Sequence, residues 1–366
     1  MMRSERICLA PRMQGVGGMV SFQHKLASSL QRRGIDLGFN PADGAYTAVL
    51  VIGGTRQVTG IWRARRRGAR IVQRLDGMNW LHKVRGPSHL KLGLRHSLRA
   101  ETGNWLLAWT RKHLADAIVY QSEFSRRWWE RVYGRTRQSY RVITNAVDLD
   151  RYTQQGEHSL PGDRWRILLV EGSLMGGYEM GMQAALELGF HLSQLLTEKP
   201  NLERSVELLV AGRVSREVQA AWNQKFQETW AARSSGRFSL AWAGLVPGES
   251  IPKLDRSAHL LYSADINAAC PNSVIEALAC GLPVLAFDTG ALPELVSQGA
   301  GRVVPYGGDP WKLDPPDTPA LARAACDLLE NLDHHRRVAR LRAEAYFGLE
   351  DMVDRYLEVL LDGKGR

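Results

Sequence analysis

Long apolar runs are what this 366-residue chain most plainly lacks. No 18-residue stretch is both apolar and uncharged, so no segment is expected to cross a membrane as a helix. MMRSERICLAPRMQG, at the start, holds no apolar run of signal-peptide length. Cysteine is scarce. Cys8, Cys270, Cys280 and Cys326 show neither CxxC metal spacing nor the pattern of a secreted disulfide framework. Free thiols in a reducing cytoplasm are the simplest expectation. No low-complexity or repeated segment stands out. No helix-turn-helix, zinc or RNA-binding motif is present, so no nucleic-acid partner is expected.

What is present is the composition of a globular protein, 44% apolar and 23% charged. The length exceeds what one compact core usually organises, and two domains are expected. Charge divides unevenly along the chain. Residues 1–150 hold 26 Lys and Arg against 10 Asp and Glu, whereas residues 151–366 hold 22 against 28. The first part is therefore expected to meet something anionic.

The apolar pattern alternates strand with helix. RICLA (6–10) predicts a buried strand, PRMQGVGGM (11–19) a glycine-rich loop, and residues 20–33 a helix closed by Gly34. IDLGF, TAVLVIG, ARIVQRLDG, ADAIVYQS and SYRVITNAVDL continue a parallel series. The periodicity lapses near GEHSLPGDR (156–164), which predicts a linker. A second series follows. WRILLVEG, VELLVAG, FSLAWAG, HLLYS and PVLAF read as strands, and residues 178–196 and 345–362 as helices. The expected fold class is α/β, with two doubly wound domains in series and ligand in the cleft at the strand ends. The boundaries expected are 1–158, 159–344 and a terminal helix at 345–366.

The densest stretch is CPNSVIEALACGLPVLAFDTGALPELV (270–296). Ser273 and Glu276 have the spacing of a capping box. Glu276 has a second reading, because a carboxylate accepts from the adjacent hydroxyls of a ribose. Amides at the same helix start, and at Thr289 and Gly290, suit phosphate oxygens. Diol and diphosphate together describe a nucleotide-sugar pocket.

That segment resembles the donor-binding segment of family-4 (group 1) retaining glycosyltransferases of the GT-B fold, in a variant carrying Cys270-Pro271-Asn272. GVGGMVSFQHKLASSLQRRG, ADAIVYQSEFS, VITNAVDLDRY and FGLEDMVDRYLEVL resemble further family segments in the same order. The resemblance implies a basic acceptor-side first domain, a donor domain, and a terminal helix crossing back to the first. It implies that Glu276 binds the donor ribose, and that Gly17 and Gly18 approach the donor phosphates. Thr289, Gly290 and Ala291 would lie beside the donor sugar or phosphate, and Gly244, Leu245 and Val246 would face the base. The substrate would be a nucleoside-diphosphate sugar, with no cofactor and no metal; no Asp-x-Asp motif stands in a suitable place.

Three positions depart from the family pattern. Ala268 stands where a first glutamate is common, leaving Asp265 or Asn272 as polar substitutes beside Ser273. The loop EGSLMGGYEMG (171–181), in which Gly172 is a further donor-side candidate, has Ser173 and Gly176 where an Arg and a Lys usually meet the diphosphate. Arg213, after the next strand, is the candidate replacement. Asp76 stands near the place of a strand-end histidine, as a candidate for stabilising charge at the anomeric carbon.

Residues 61–74, 81–100 and 125–141 are dense in Arg and Lys, and their charge points to peripheral contact with an anionic membrane and a glycan or lipid-linked acceptor. Trp128 and Trp129 are expected to pack internally. Two other functions fit the same scaffold: a catalytically impaired nucleotide-sugar-binding protein, favoured by the lost cations, and a nucleotide-sugar epimerase. The epimerase needs an acid–base pair, and none is evident.

Overall fold

The computed structural model describes residues 5–15, 17–55, 57–84, 90–173, 179–297 and 299–362. The chain divides into two units, one of residues 1–146 with 349–366, the other of residues 147–348.

The first unit begins β1 (Arg6–Ala10), α1 (Gly18–Arg32), β2 (Asp36–Gly38), β3 (Ala48–Ile52), α2 (Val58–Arg66) and β4 (Arg70–Leu75). It continues α3 (Leu90–His113), β5 (Ala117–Tyr120), α4 (Glu123–Tyr133) and β6 (Ser139–Val142). The strands form one parallel sheet in the order β2-β1-β3-β4-β5-β6. Every residue of β3 and β5 is buried, as expected of strands covered on both faces. The order reverses between β1 and β3, and the glycine loop leaves β1 at that point.

The second unit holds β7 (Arg164–Ser173), α5 (Glu179–Leu195), β8 (Ser205–Arg213), α6 (Arg216–Phe226), β9 (Phe238–Gly244) and α7 (Ile251–Arg256). It then runs β10 (Leu260–Tyr262), α8 (Asn272–Ala279), β11 (Val284–Phe287), α9 (Leu292–Leu295), β12 (Gly301–Val304), α10 (Thr318–Glu330) and α11 (Leu332–Tyr346). Its sheet is also parallel, in the order β12-β11-β10-β7-β8-β9. Here the order reverses between β7 and β10. Such reversal points are where open α/β sheets leave a crevice at the carboxyl ends of strands.

The last helix, α12 (Leu349–Leu361), belongs to the first unit. It buries Met352, Val353, Tyr356 and Leu360 in one core cluster with Phe22, Leu26 and Leu30 of α1. Phe22 and Tyr356 meet with ring centroids 5.2 Å apart. Ser29, Arg32 and Arg33 flank the contact and bind Glu350, at 3.0, 3.0 and 2.6 Å.

Three boundaries differ from the sequence reading. The helix expected over 345–362 is two helices, because the chain breaks at Phe347 and Gly348. Phe347 is buried there, and its carbonyl accepts from Val147 N at 2.9 Å. Residues 147–158, expected in the first domain, group with the second unit. Arg340 holds the carbonyls of Leu149 and Tyr152 at 3.3 and 2.6 Å, and Arg256 holds those of Thr153 and Glu157 at 3.1 and 3.3 Å. The strand read into 139–149 ends at Val142.

Candidate functional site

In the first unit the glycine loop runs from β1 to α1. Gln23, buried on the first turns of α1, fixes it. Its amide nitrogen donates to the carbonyls of Leu9 and Pro11 at 3.3 and 2.8 Å, and its oxygen accepts from Met13 N at 2.7 Å. Gly17 precedes the helix at φ 145°, and a side-chain carbon added there would meet nothing within 4 Å. Gly17 and Gly18 therefore form an open, exposed helix start at the sheet's reversal point.

Asp76 follows β4 and is not a bare turn residue. Arg74 and Gln121 both donate to its carboxylate, and Trp129 Nε1 donates to its carbonyl at 2.7 Å. Arg74 also donates to Asn145 at 2.8 Å and lies 3.9 Å from the centre of the Phe22 ring. Burial raises the Asp76 pKa, and the Arg74 charge opposes that rise. Trp128 and Trp129 are buried, as expected.

The second unit contains the densest group. Pro271 caps α8 without a side-chain bond, and the helix starts at Asn272. The capping box is therefore overturned. Ser273 stands inside the first turn and Glu276 in the second, because the helix begins two residues before the box requires. Asn272, Ser273 and Glu276 are all half-buried. Glu276 shares a helix face with Cys280, one turn on. Asp255 of α7 is fully buried near both, and its Oδ2 has no hydrogen-bond partner. Burial pushes the Asp255 carboxyl well up, the neighbouring Glu276 pushes it further, and Cys280 and Arg256 oppose. Tyr152 and Cys280 are also raised, chiefly by burial, with Glu276 adding to each.

Gly281 and Gly290 make the turns on either side of β11. Gly281 ends α8 at φ 66°, as expected, and its Cα faces Gln154 so closely that a Cβ would fall 2.1 Å from Nε2. Gly290 sits at φ 59° against the backbone of 267–268, where a Cβ would lie 2.5 Å from the Ala268 carbonyl. Of the two amides expected to serve phosphate at this loop, that of Thr289 is otherwise engaged. Thr289 N donates to Phe287 O at 2.8 Å, and Ala291 N to Ala268 O at 2.9 Å. The Thr289 hydroxyl donates to Asp265 O at 3.3 Å. Thr289 and Ala291 are buried, so the loop braces residues 265–268 from behind.

Sequence reasoning passed over a pocket at the β7/β10 reversal point. It is lined by Met180, Gly181 and Ala184 of α5 and by Tyr262–Ile266, with Phe287, Tyr306 and Pro316 completing it. It opens to solvent and has room inside for about one water. Ser263 Oγ is buried there without a partner. Burial pushes the Asp265 carboxyl up to about 6. The signal available in the sequence was the polar run Ser263-Ala-Asp265 straight after a buried strand.

The remaining expected residues sit at strand ends. Gly172 is exposed near the end of β7, and Ser173 is in register with the exposed Arg213 of β8. Gly244 ends β9 at φ 69°, followed by Leu245, 53% exposed, and half-buried Val246. Gly176 lies outside the described residues.

Parallel sheets of six strands, one per unit, each with helices on its faces and a reversal point at a glycine loop or pocket, decide the architecture. The fold is GT-B. Over 97% of this chain it superposes on sucrose-phosphate synthase from Thermosynechococcus elongatus, at TM-score 0.68 and 15% identity, covering 98% of that chain. A glycosyltransferase from Rickettsia africae matches at TM-score 0.67 and 16% identity, with 99% and 100% of the two chains covered. HepE from Anabaena, solved with UDP and glucose, matches at 0.62 and 17% identity, over 97% and 99%. Residues 187–331 of this GT-B chain match the family model described as Glycosyl transferases group 1. A 2-deoxystreptamine N-acetyl-D-glucosaminyltransferase from Streptomyces fradiae is 28% identical over 131 residues. That stretch is 35% of this chain and 28% of the relative.

Proposed function

We propose that this protein is a glycosyltransferase that moves a sugar from a nucleoside-diphosphate sugar to a hydroxyl of a glycan or lipid-linked acceptor, with retention and without a metal. The observation that carries the reading is Glu276. It stands half-buried on α8, within the stretch matched by the group 1 model, a short distance in sequence from the β10 strand end. A carboxylate placed so accepts from two adjacent hydroxyls. Two similar proteins support the same class, since HepE was solved with UDP and glucose and the Streptomyces relative is an N-acetylglucosaminyltransferase.

In this reading Glu276 fixes the ribose and the start of α8, at Asn272 and Ser273, presents amides toward the diphosphate. Arg213, Gly172 and Ser173, at neighbouring strand ends, complete the phosphate side, and Gly17 and Gly18 of the first unit are likewise proposed for donor phosphate. Thr289, Gly290 and Ala291 hold the 265–268 loop in place, and Gly244, Leu245 and Val246 take the base. Asp76, held by Arg74 and Gln121, stabilises positive charge as the leaving group departs. The basic first unit meets an anionic membrane carrying the acceptor. The test is release of free nucleoside diphosphate from a nucleotide sugar, with and without acceptor, by wild type, Glu276→Ala and Asp76→Asn. Wild-type rates at least tenfold above both variants support the reading, and equal rates reject it.

A further inference from the structure

We propose that Arg74 and Gln121 are positioning residues: by filling Oδ1 of Asp76 they leave Oδ2 as the carboxylate oxygen that meets substrate. The inference rests on the role given to Asp76 above. It names the atom that acts and the groups that aim it.

Three adjacent strands, β4, β5 and β6, end at this place. Asp76 follows β4, Gln121 follows β5, and Asn145 comes shortly after β6. The carboxyl ends of parallel strands are where open α/β sheets meet their ligands. Arg74 Nη1 and Gln121 Nε2 both donate to Oδ1 of Asp76. A carboxylate oxygen accepts about two hydrogen bonds, so these two fill it. No described residue donates to Oδ2. The two donors and the acid are fixed in turn. Arg74 Nη2 donates to Asn145 Oδ1 at 2.8 Å, and the guanidinium carbon lies 3.9 Å from the centre of the Phe22 ring. Trp129 Nε1 donates to the Asp76 carbonyl at 2.7 Å, which pins the backbone beneath the same carboxylate.

Burial separates the two sides of the group. Arg74 and Gln121 are 1% and 3% exposed, whereas the Asp76 side chain is 26% exposed. The acid is thus the outer member, with its donors behind it. A guanidinium is costly to take out of water, and Nε of Arg74 is buried without a partner among the described residues. That arrangement serves stability poorly and serves well to hold a carboxylate in one direction. Arg74 has a second effect. Burial raises the Asp76 pKa and the Arg74 charge opposes the rise, so Arg74 keeps the acid ionised toward lower pH. Gln121, Asn145 and Trp129 around the pair carry no charge. An ionised Asp76 is what stabilisation of positive charge requires.

The test is steady-state release of nucleoside diphosphate by the full-length protein from UDP-glucose, UDP-N-acetylglucosamine, GDP-mannose and ADP-glucose, from pH 5 to 9. Gln121→Leu removes one hydrogen bond at similar volume. It is expected to lower kcat about tenfold and to leave KM within about twofold, since the lost aim matters in the transition state. Arg74→Met removes the charge and is expected to move the acid limb of kcat up by about one pH unit. Arg74→Lys is expected to leave that limb in place. Thermal melts show which variants fold, and Gln121→Leu carries the test alone where Arg74→Met does not. A merely structural role would lower Tm and leave kcat and the acid limb of the folded variants unchanged. A Gln121→Leu kcat within about twofold of wild type, or an unmoved limb in folded Arg74→Met, overturns this proposal. A slow Asp76→Asn beside either result keeps the role of Asp76 itself. Asp76→Asn as fast as wild type, or release from none of the four nucleotide sugars, overturns that role and this proposal with it.

Discussion

At the scale of single residues, the second unit sets two acids side by side. Asp255 is fully buried beside Glu276, and each negative charge raises the cost of the other. Replacing Glu276 by Gln should therefore leave the unligated protein as stable as wild type or more so, while donor binding falls. A Tm that drops by several degrees would mean that Glu276 is structural. Asp265 carries a sharper pH prediction. Its folded pKa is raised to about 6 from an ordinary 3.8, so its protonated form favours the fold. That contribution is complete below about pH 4 and lost as pH rises through 6. Asp265→Asn should match wild type at pH 4 and exceed it at pH 7.5, as read by denaturant unfolding at both values. A constant difference between the two pH values would contradict the assignment. Glu276 itself was legible in the sequence only as an ambiguity. Ser273-x-x-Glu276 has box spacing whichever residue starts the helix, and the cap at Pro271 moves the start by two.

At the scale of elements, the strands were the readable part. β3, β5 and β11 are buried along their whole length, so they appear in sequence as short apolar runs. The helices α2 and α3 were missed, because their stretches read as basic segments. α2 buries only Gly60, Ile61 and Ala64, and four of its neighbouring exposed positions are arginines. The 347–348 break was illegible for a different reason, since the apolar spacing runs across it and only the pairing with Val147 stops the helix. The pocket was invisible because it is made by distant segments meeting at a sheet reversal. The turns around β11 make an element-scale prediction. Gly290→Ala adds a carbon 2.5 Å from a backbone oxygen at positive φ and should cost about 2–4 kcal/mol. Gly103→Ala, in α3 with open space around it, should stabilise by about 0.5–1 kcal/mol. Equal effects at the two sites, measured by calorimetric melting, would refute the argument from close packing at Gly290.

At the scale of the whole molecule, charge and chemistry separate along the chain. The positive excess lies in residues 1–150, and most of the candidate donor groups lie in residues 147–348. Trp62, Leu98 and Trp105 of the first unit are 47%, 62% and 58% exposed, and Arg66 lies 4.8 Å from the centre of the Trp62 ring. No described helix is long and apolar enough to cross a membrane. Binding to phosphatidylglycerol vesicles at low salt, lost in 0.5 M salt and absent with phosphatidylcholine, is expected on electrostatic grounds. Salt-independent binding, or none, would leave the basic surface a solvated one. The measurement that bears most directly on the central claim is calorimetric binding of UDP, GDP and ADP, with their common sugar conjugates, to wild type and Glu276→Ala. The account predicts that one nucleotide series binds wild type and binds the variant at least tenfold more weakly. Equal affinity for both proteins, or no binding by any nucleotide, would contradict it.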